Sequence, residues 1–239
     1  MITRFRVLEC IALLTVTTLL SNAHAETAMQ EPRPTVIELF TSQGCSSCPP
    51  AEEILRTYVN KPNALVLAFH VDYWDYLGWH DPFALPVSAQ RQQRYGQALQ
   101  LKAVVTPQSI VDGRASIAGA DRTRIAAALK QPASGIPLIL SKAGDVLSIN
   151  LPESSVQYDV HVITYQQEAA TKVPHGENAG HTLREYNIVR SFQSLPSWDG
   201  HAKQINQSLA NIPSGANHIA VLVQQVNQGM IVGAASLAL

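Results

Sequence analysis

Two cysteines two residues apart, Cys45 and Cys48 in the segment GCSSCPP, are the residues best suited to chemistry. A C-x-x-C pair can cycle between dithiol and disulfide, bind a metal ion, or form a small structural disulfide. A disulfide that closes so short a loop restricts the unfolded chain by only about 2 kcal/mol, against about 4 kcal/mol or more for a long loop. A disulfide that closes so short a loop is also strained, and strained disulfides are the more easily reduced ones. Redox chemistry is therefore our first interpretation, while metal binding and a structural disulfide stay open.

The flanking sequence predicts that the pair lies where a strand ends and a helix begins. TVIELF is typical of a buried strand, Pro49 and Pro50 suit a first helical turn, and AEEILRTYV continues as a helix. The free N–H groups and positive dipole at a helix start stabilise a thiolate. We therefore expect a lowered pKa for Cys45, the nucleophile, whereas Cys48 resolves the mixed disulfide. The hydroxyls of Ser46 and Ser47 can hydrogen-bond that thiolate.

A second candidate feature, Thr106-Pro107, directly precedes a predicted strand pair, PQSIVDGRASIAG. Cis peptide bonds are nearly confined to X-Pro, and we expect this bond to be cis. The alternative is an ordinary trans proline that starts an edge strand.

An aromatic segment, HVDYWDYLGWHDPF, follows the second predicted strand, ALVLAFHV. Its side chains, Trp74 and Trp79 among them, can form a wall or lid over the cysteines and contact a substrate. Equally, the segment can simply pack onto its own domain. His70 is expected to be a core histidine. The group His175, Glu177 and His181 fits a polar hairpin loop better than a metal site, because its spacing matches no firm template.

The element pattern indicates two parts. Residues 35–131 read as β-α-β-α-β-β-α, with a tight turn at Asp112-Gly113 and a helix capped by Asp121. A linker follows, and residues 134–239 consist mostly of strand signals that alternate apolar and polar residues. We expect an α/β domain followed by a small, mostly antiparallel β-sandwich domain. The segment GHAKQINQSLA, at residues 200–210, is predicted to be a short helix.

Composition and the first residues indicate an exported globular protein. Hydrophobic residues make up 46% of the 239 residues, the formal net charge is -1, and no charge run suggests a nucleic-acid partner. Arg4 and Arg6, an apolar stretch and Ala23-His24-Ala25 predict a signal peptide over residues 1–25, with an uncleaved anchor as the alternative. Cleavage removes Cys10 and any membrane anchor. The remaining pair then enters an oxidising compartment, either the periplasm or the cell exterior.

These motifs carry a resemblance to known families. C-x-x-C at a strand-to-helix junction, with Thr-Pro before a closing hairpin, makes residues 35–130 similar to a thioredoxin or glutaredoxin. More narrowly, VIELFTSQGCSSCPPAE, HVDYWDYLGWHDPF, TPQSIVDG, HTLREYNIVRSF and GAASLAL resemble the DUF1223 family of exported bacterial proteins. The resemblance implies the fold and compartment but no substrate. It implies that Pro107 lies beside Cys45 and Cys48, where the backbone of Thr106 can pair with an extended substrate.

The chain also departs from the thioredoxin pattern. Ser46-Ser47 replaces the usual residues between the cysteines. The acid of the preceding strand, Glu38, stands one residue out of place, which in a strand reverses its facing. We therefore expect Glu38 to be exposed or to form a hydrogen bond at the core edge.

The sequence thus predicts a thiol-disulfide oxidoreductase that exchanges electrons with a protein thiol or disulfide. No cofactor or resident metal is expected, since no nucleotide or flavin motif is present. The alternatives are a periplasmic metal module that handles copper, and a non-catalytic binding protein.

Overall fold

The computed structural model describes residues 33–130, 133 and 135–239; the predicted signal peptide, residues 1–25, lies outside them. The first half of the described chain follows the predicted element order. Its elements are β1 (Thr35–Thr41), α1 (Cys48–Arg56), β2 (Ala64–His70), α2 (Pro86–Ala98), β3 (Gln108–Val111), β4 (Ala115–Ala118) and α3 (Arg122–Leu129).

The strand β1 lies between a parallel and an antiparallel neighbour. It pairs in parallel with β2, so that the last residues of the two strands, Thr41 and His70, lie side by side. Its other edge pairs with β3 in the antiparallel sense, and β3 pairs with β4. Both β1 and β2 are buried along their whole length, as their apolar runs predict.

Alternate residues of β1 face opposite sides of the sheet. Ile37 and Leu39 pack with α1 and α3, whereas Val36 and Phe40 pack with Tyr95 of α2 on the other face. The two faces therefore offer separate environments, and α1, which follows the cysteine turn, lies on the face of Ile37 and Leu39.

Local turn and cap chemistry agrees with the sequence. Asp112 and Gly113 both have positive φ, 47° and 68°, which is the backbone of the tight turns that join hairpin strands. The side chain of Asp121 accepts a hydrogen bond from the backbone N–H of Arg124 at 2.9 Å and caps α3.

The second half contains β5 (Ile139–Ala143), β6 (Val146–Leu151), β7 (Tyr158–Lys172), β8 (Thr182–Ser194), β9 (Lys203–Ser208), β10 (His218–Gln225) and β11 (Ile231–Ala238). These strands are divided between two sheets. Four of them continue the first sheet in the order β11-β10-β7-β8-β2-β1-β3-β4, and β5, β6 and β9 form a separate three-stranded sheet. The described chain is thus a mixed α/β protein with one eight-stranded and one small sheet.

The junction between the two halves is a short parallel pairing of β2 with β8. Ala68 pairs with Ile188, and the side-chain amide of Asn187 donates to the carbonyl of Val66 at 2.9 Å. An unpaired β2 edge would expose backbone groups, and β8 covers it. No local sequence pattern announces such a long-range pairing.

The small sheet packs on the far part of the large sheet. Leu147, Ile149 and Leu151 of β6 meet Val162 of β7 and Val221 of β10 in one apolar core. The predicted helix at residues 200–210 is wrong: residues 203–208 form β9, which pairs with β6. Pairing with a strand whose apolar residues alternate overrides the weak helical pattern.

A buried polar network ties α2 to both halves of the sheet. Arg91 donates to the carboxylate of Glu38 at 2.6 Å and to the side-chain oxygen of Gln224 at 3.0 Å. The hydroxyl of Tyr95 also donates to Glu38. Glu38 is therefore fully buried in an ion pair, rather than exposed or at the core edge. Among the described residues no helix is long and apolar enough to span a membrane.

Candidate functional site

The cysteine pair lies in the turn between β1 and α1. The backbone N–H of Cys45 donates to the carbonyl of Ser42 at 3.1 Å, and that of Cys48 donates to the carbonyl of Cys45 at 3.2 Å. Helix α1 begins at Cys48 itself and has proline in its first turn. Cys45 therefore precedes the helix by three residues, so side-chain contacts stabilise its thiolate more than the helix start does.

The two thiols have opposite environments. Hydrogen bonds from Cys48, Ser47 and Thr106 outweigh burial and lower the pKa of Cys45 to about 6, with the Cys48 bond the largest cause. The hydroxyl of Ser47 lies 3.3 Å from the Cys45 sulfur. Burial, followed by the bond to Cys45, raises the pKa of Cys48 far above its usual range. One sulfur is thus stabilised as a thiolate and the other as a thiol.

Only one of the two intervening serines reaches the thiol. Ser46 is turned outward, and its backbone N–H and hydroxyl both donate to the carboxylate of Glu177, at 2.9 and 2.8 Å. The next residue, Asn178, donates from its side-chain amide to the carbonyls of Gln43 and Cys45, at 2.9 and 3.0 Å. The loop between β7 and β8 therefore fixes the backbone of the cysteine turn.

The Thr106–Pro107 bond is cis, as predicted, and lies beside Cys45. The carbonyl of Thr106 is 3.7 Å from the Cys45 sulfur, and its hydroxyl accepts from the indole N–H of Trp74 at 2.7 Å. A Cβ atom on Gly44 would lie 2.9 Å from the Cβ of Trp74, so glycine is required for this approach. The aromatic segment is thus a wall of the cysteine site at Trp74.

The second predicted substrate residue, Trp79, contacts Gln43, two residues before Cys45. Its indole N–H donates at 2.9 Å to the side chain of Gln43, whose own amide donates at 2.7 Å to Glu185. His80 is exposed and pairs with Asp75. Of the predicted site residues, Cys45, Cys48, Thr106, Pro107 and Trp74 therefore come together, and Trp79 supports a neighbouring group.

That neighbouring group is a buried cluster of His70, Asp81, Glu185 and Glu52 beneath the cysteine turn. His70 is fully buried, with its Nδ1 2.7 Å from Asp81 and its Nε2 3.8 Å from Glu185. Burial lowers the pKa of His70, but the charges of Asp81 and Glu185 outweigh it and raise it to about 9. Burial raises the pKa of Glu185 to about 7 and also raises that of Glu52.

Glu52 is an acid close to the cysteine pair that the sequence did not predict. The hydroxyl of Thr41 donates to its carboxylate, and the same hydroxyl contacts the thiol of Cys48. Glu38 faces the opposite side of β1, as its spacing indicated. Glu52 lies on α1, four residues after Cys48. Thr41 lies on the face of β1 that packs against α1, four residues before Cys45. Helical spacing from Cys48 was the signal that could have found Glu52.

Comparisons with known proteins agree on a family without a function. The family model described as "Protein of unknown function (DUF1223)" matches residues 36–224. The crystal structure of protein AGR_C_4864 from Agrobacterium tumefaciens is similar, with a TM-score of 0.76 and 34% identity over 87% of this chain and 95% of that one. HBP35 of Porphyromonas gingivalis shares the fold at a TM-score of 0.57 and 15% identity, over 87% of this chain and 76% of that one. No curated protein matches the sequence.

Proposed function

We propose a function for this chain, which belongs to the DUF1223 family of proteins of unknown function, from the chemistry of its own cysteine pair. The proposal is thiol-disulfide exchange, with Cys45 as the nucleophile and Cys48 as the resolving thiol. The observation that carries it is the unequal environment of the two sulfurs. A thiol with a pKa of about 6 is mostly thiolate at neutral pH, and the thiolate is the reactive form.

The reaction transfers two electrons in two thiol-disulfide exchange steps. The Cys45 thiolate attacks a substrate disulfide, forms a mixed disulfide and releases one substrate thiolate. Cys48 then gives up its proton and attacks the Cys45 sulfur, which forms the Cys45–Cys48 disulfide and releases the second substrate thiolate. The protein dithiol is oxidised and the substrate disulfide is reduced. The reverse sequence oxidises a substrate dithiol, and the geometry favours neither direction.

The proposal includes a thioredoxin-like first half and an exported location. The element order β-α-β-α-β-β-α, the cysteine turn between β1 and α1, and the cis Thr106–Pro107 bond support the fold assignment. The signal-peptide pattern of residues 1–25 supports export, and a periplasmic or secreted protein meets an oxidising environment in which such chemistry is needed.

A substrate has to displace part of the cover to reach the nucleophile. Cys45 is fully buried: Thr106, which is held by Trp74, contacts its sulfur, and Asn178, next to Glu177, binds its backbone carbonyl. The exposed contact, Ser46 with Glu177, is the weaker part of this cover, because exposed hydrogen bonds compete with water. We expect the substrate to enter from the side of Ser46 and Glu177.

Glutathione disulfide tests the assignment of the two sulfurs. With Cys10 changed to serine throughout, the Cys48→Ser protein should accumulate a glutathione adduct on Cys45, seen by mass spectrometry. The Cys45→Ser protein should form at least tenfold less adduct, because its remaining thiol stays protonated. The protein with both cysteines should end as the internal disulfide. Equal adduct formation by the two single variants, or none by either, would falsify the assignment.

Two other functions have less support from the site. A copper-handling pair would bind Cu(I) through both thiolates, and that role does not call for two sulfurs with opposite pKa shifts. A non-catalytic binding protein would keep the fold without the unequal sulfurs. The same glutathione experiment separates both from an oxidoreductase, because neither requires Cys45 to react faster than Cys48.

A further inference from the structure

Three potential metal ligands from three different elements converge beneath the cysteine turn. They are Glu52 on α1, His70 at the end of β2 and Glu185 on β8, and one ligand atom of each lies within 4.8 Å of the other two. The junction of the two halves of the sheet brings Glu185 to the other two. None of the three ligands is a cysteine, and the inference does not depend on the proposed redox function.

Two of these ligand atoms are buried without a hydrogen bond. In the part of the chain that the structure describes, neither Nε2 of His70 nor Oε1 of Glu185 has a hydrogen-bond partner. Both side chains are almost completely buried, at 0% and 1% exposure, and the two atoms face each other at 3.8 Å. Buried polar atoms are nearly always satisfied, so this pair points to an occupant between them.

The remaining atom of each ligand side chain is held by a separate group. Nδ1 of His70 lies 2.7 Å from Asp81, which is itself fixed by the backbone N–H groups of Gln43 and Phe83 at 2.8 and 2.9 Å. Asp81 thus occupies Nδ1, which leaves Nε2 as the ring nitrogen that can coordinate once it has lost its proton. The other oxygen of Glu185 accepts from the Gln43 side chain, and Glu52 accepts from Thr41. A metal-binding histidine and carboxylate are normally oriented in this way by outer partners.

The carboxylates around His70 also favour a bound cation. Three carboxylates, those of Glu52, Asp81 and Glu185, surround one histidine, and uncompensated buried charges are costly.

We propose that Glu52, His70 and Glu185 bind one Zn²⁺ ion, with Asp81 and Gln43 as the outer partners. A histidine nitrogen with two carboxylate oxygens is a zinc-type ligand set, and water can fill the fourth position. Zinc bonds of about 2.0–2.2 Å place tetrahedral ligand atoms about 3.4 Å apart, so the 3.8 Å pair needs little movement. The ligand atom of Glu52 lies within 4.8 Å of the other two, and its partly exposed position in the middle of α1 permits an inward shift.

A small cleft reaches the Glu52 side chain. It is lined by Glu52 together with Leu39, Leu55, Arg56 and Tyr186.

Zinc titration of a thiol-free protein tests the site. All three cysteines, Cys10, Cys45 and Cys48, are changed to serine so that no thiolate can bind the probe, which is Zn²⁺ alone. Isothermal titration calorimetry should show one ion per chain, and the melting temperature should rise with Zn²⁺ because the ion binds the folded state. Glu52→Gln and Glu185→Gln should each weaken binding by at least tenfold.

Outer-partner and matched control variants separate this site from surface binding. Gln43→Leu should weaken binding by about tenfold to a hundredfold, the usual effect of losing an outer partner. Glu153→Gln removes a glutamate from an exposed pair with His201 and should leave affinity unchanged. Stoichiometric zinc that survives both Glu52→Gln and Glu185→Gln, or no zinc binding by the folded thiol-free protein, overturns the proposal. In the second case the cluster holds shared protons instead.

Discussion

The pKa of Cys45 is predicted to depend on a hydrogen bond from Cys48, and two substitutions of Cys48 separate that bond from the loss of the thiol itself. Cys48→Ala removes the donor, whereas Cys48→Ser keeps one. A hydrogen bond to a charged group contributes about 1.5–3 kcal/mol, which at about 1.4 kcal/mol per pKa unit is about 1–2 units. Cys48→Ala should therefore raise the pKa of Cys45 from about 6 to about 7–8.

The expected change is large enough to measure directly. At pH 7 a pKa of about 6 leaves about nine-tenths of Cys45 as thiolate, and the alanine variant should retain between about one-half and one-tenth. The ultraviolet absorbance of the thiolate, followed against pH in Cys10→Ser protein, reports this fraction without requiring a reagent to reach the buried sulfur. Cys48→Ser should stay within about half a unit of the parent. Equal pKa values in the alanine and serine variants, or a parent value near 8.5, would refute the reasoning.

The remaining predictions concern stability and access. The lowered pKa of Cys45 stabilises the reduced fold at pH values above its unfolded pKa of about 8.5, and this stabilisation is lost as pH falls through about 6. In urea unfolding, Cys45→Ser should lack the corresponding rise in the free energy of unfolding, which is at most about 3.4 kcal/mol. Trp74→Phe removes the indole donor to Thr106, so it should lower the free energy of unfolding by about 1 kcal/mol and speed maleimide labelling of Cys45. Unchanged labelling would contradict the role of Trp74 as a wall of the cysteine site. Glu38→Gln leaves Arg91 buried without its charged partner and should lower the free energy of unfolding, measured in urea, by about 3–5 kcal/mol. Adding Arg91→Met should recover a large part of that loss. If the losses of stability from the two substitutions simply add, the two residues are not a coupled pair.

Several parts of the site were predictable because their causes are local. Consecutive residues set the strand of TVIELF, the prolines after Cys48 set the start of α1, and an X-Pro bond permitted the cis form at Pro107. The turn at Asp112-Gly113 depends only on which residues tolerate positive φ. For the same reason the pattern of residues 35–130 was read correctly in its element order.

The sequence by itself determined the cysteine pair, its place between a strand and a helix, and the alternation that sends Glu38 away from α1. Only the tertiary structure decided what surrounds the pair. Glu177 and Asn178 reach the cysteine turn, and Glu185 reaches His70, because β8 pairs with β2 more than a hundred residues away along the chain. Such pairing depends on which edges and apolar faces remain uncovered once the whole sheet assembles, and no local window of residues contains that information.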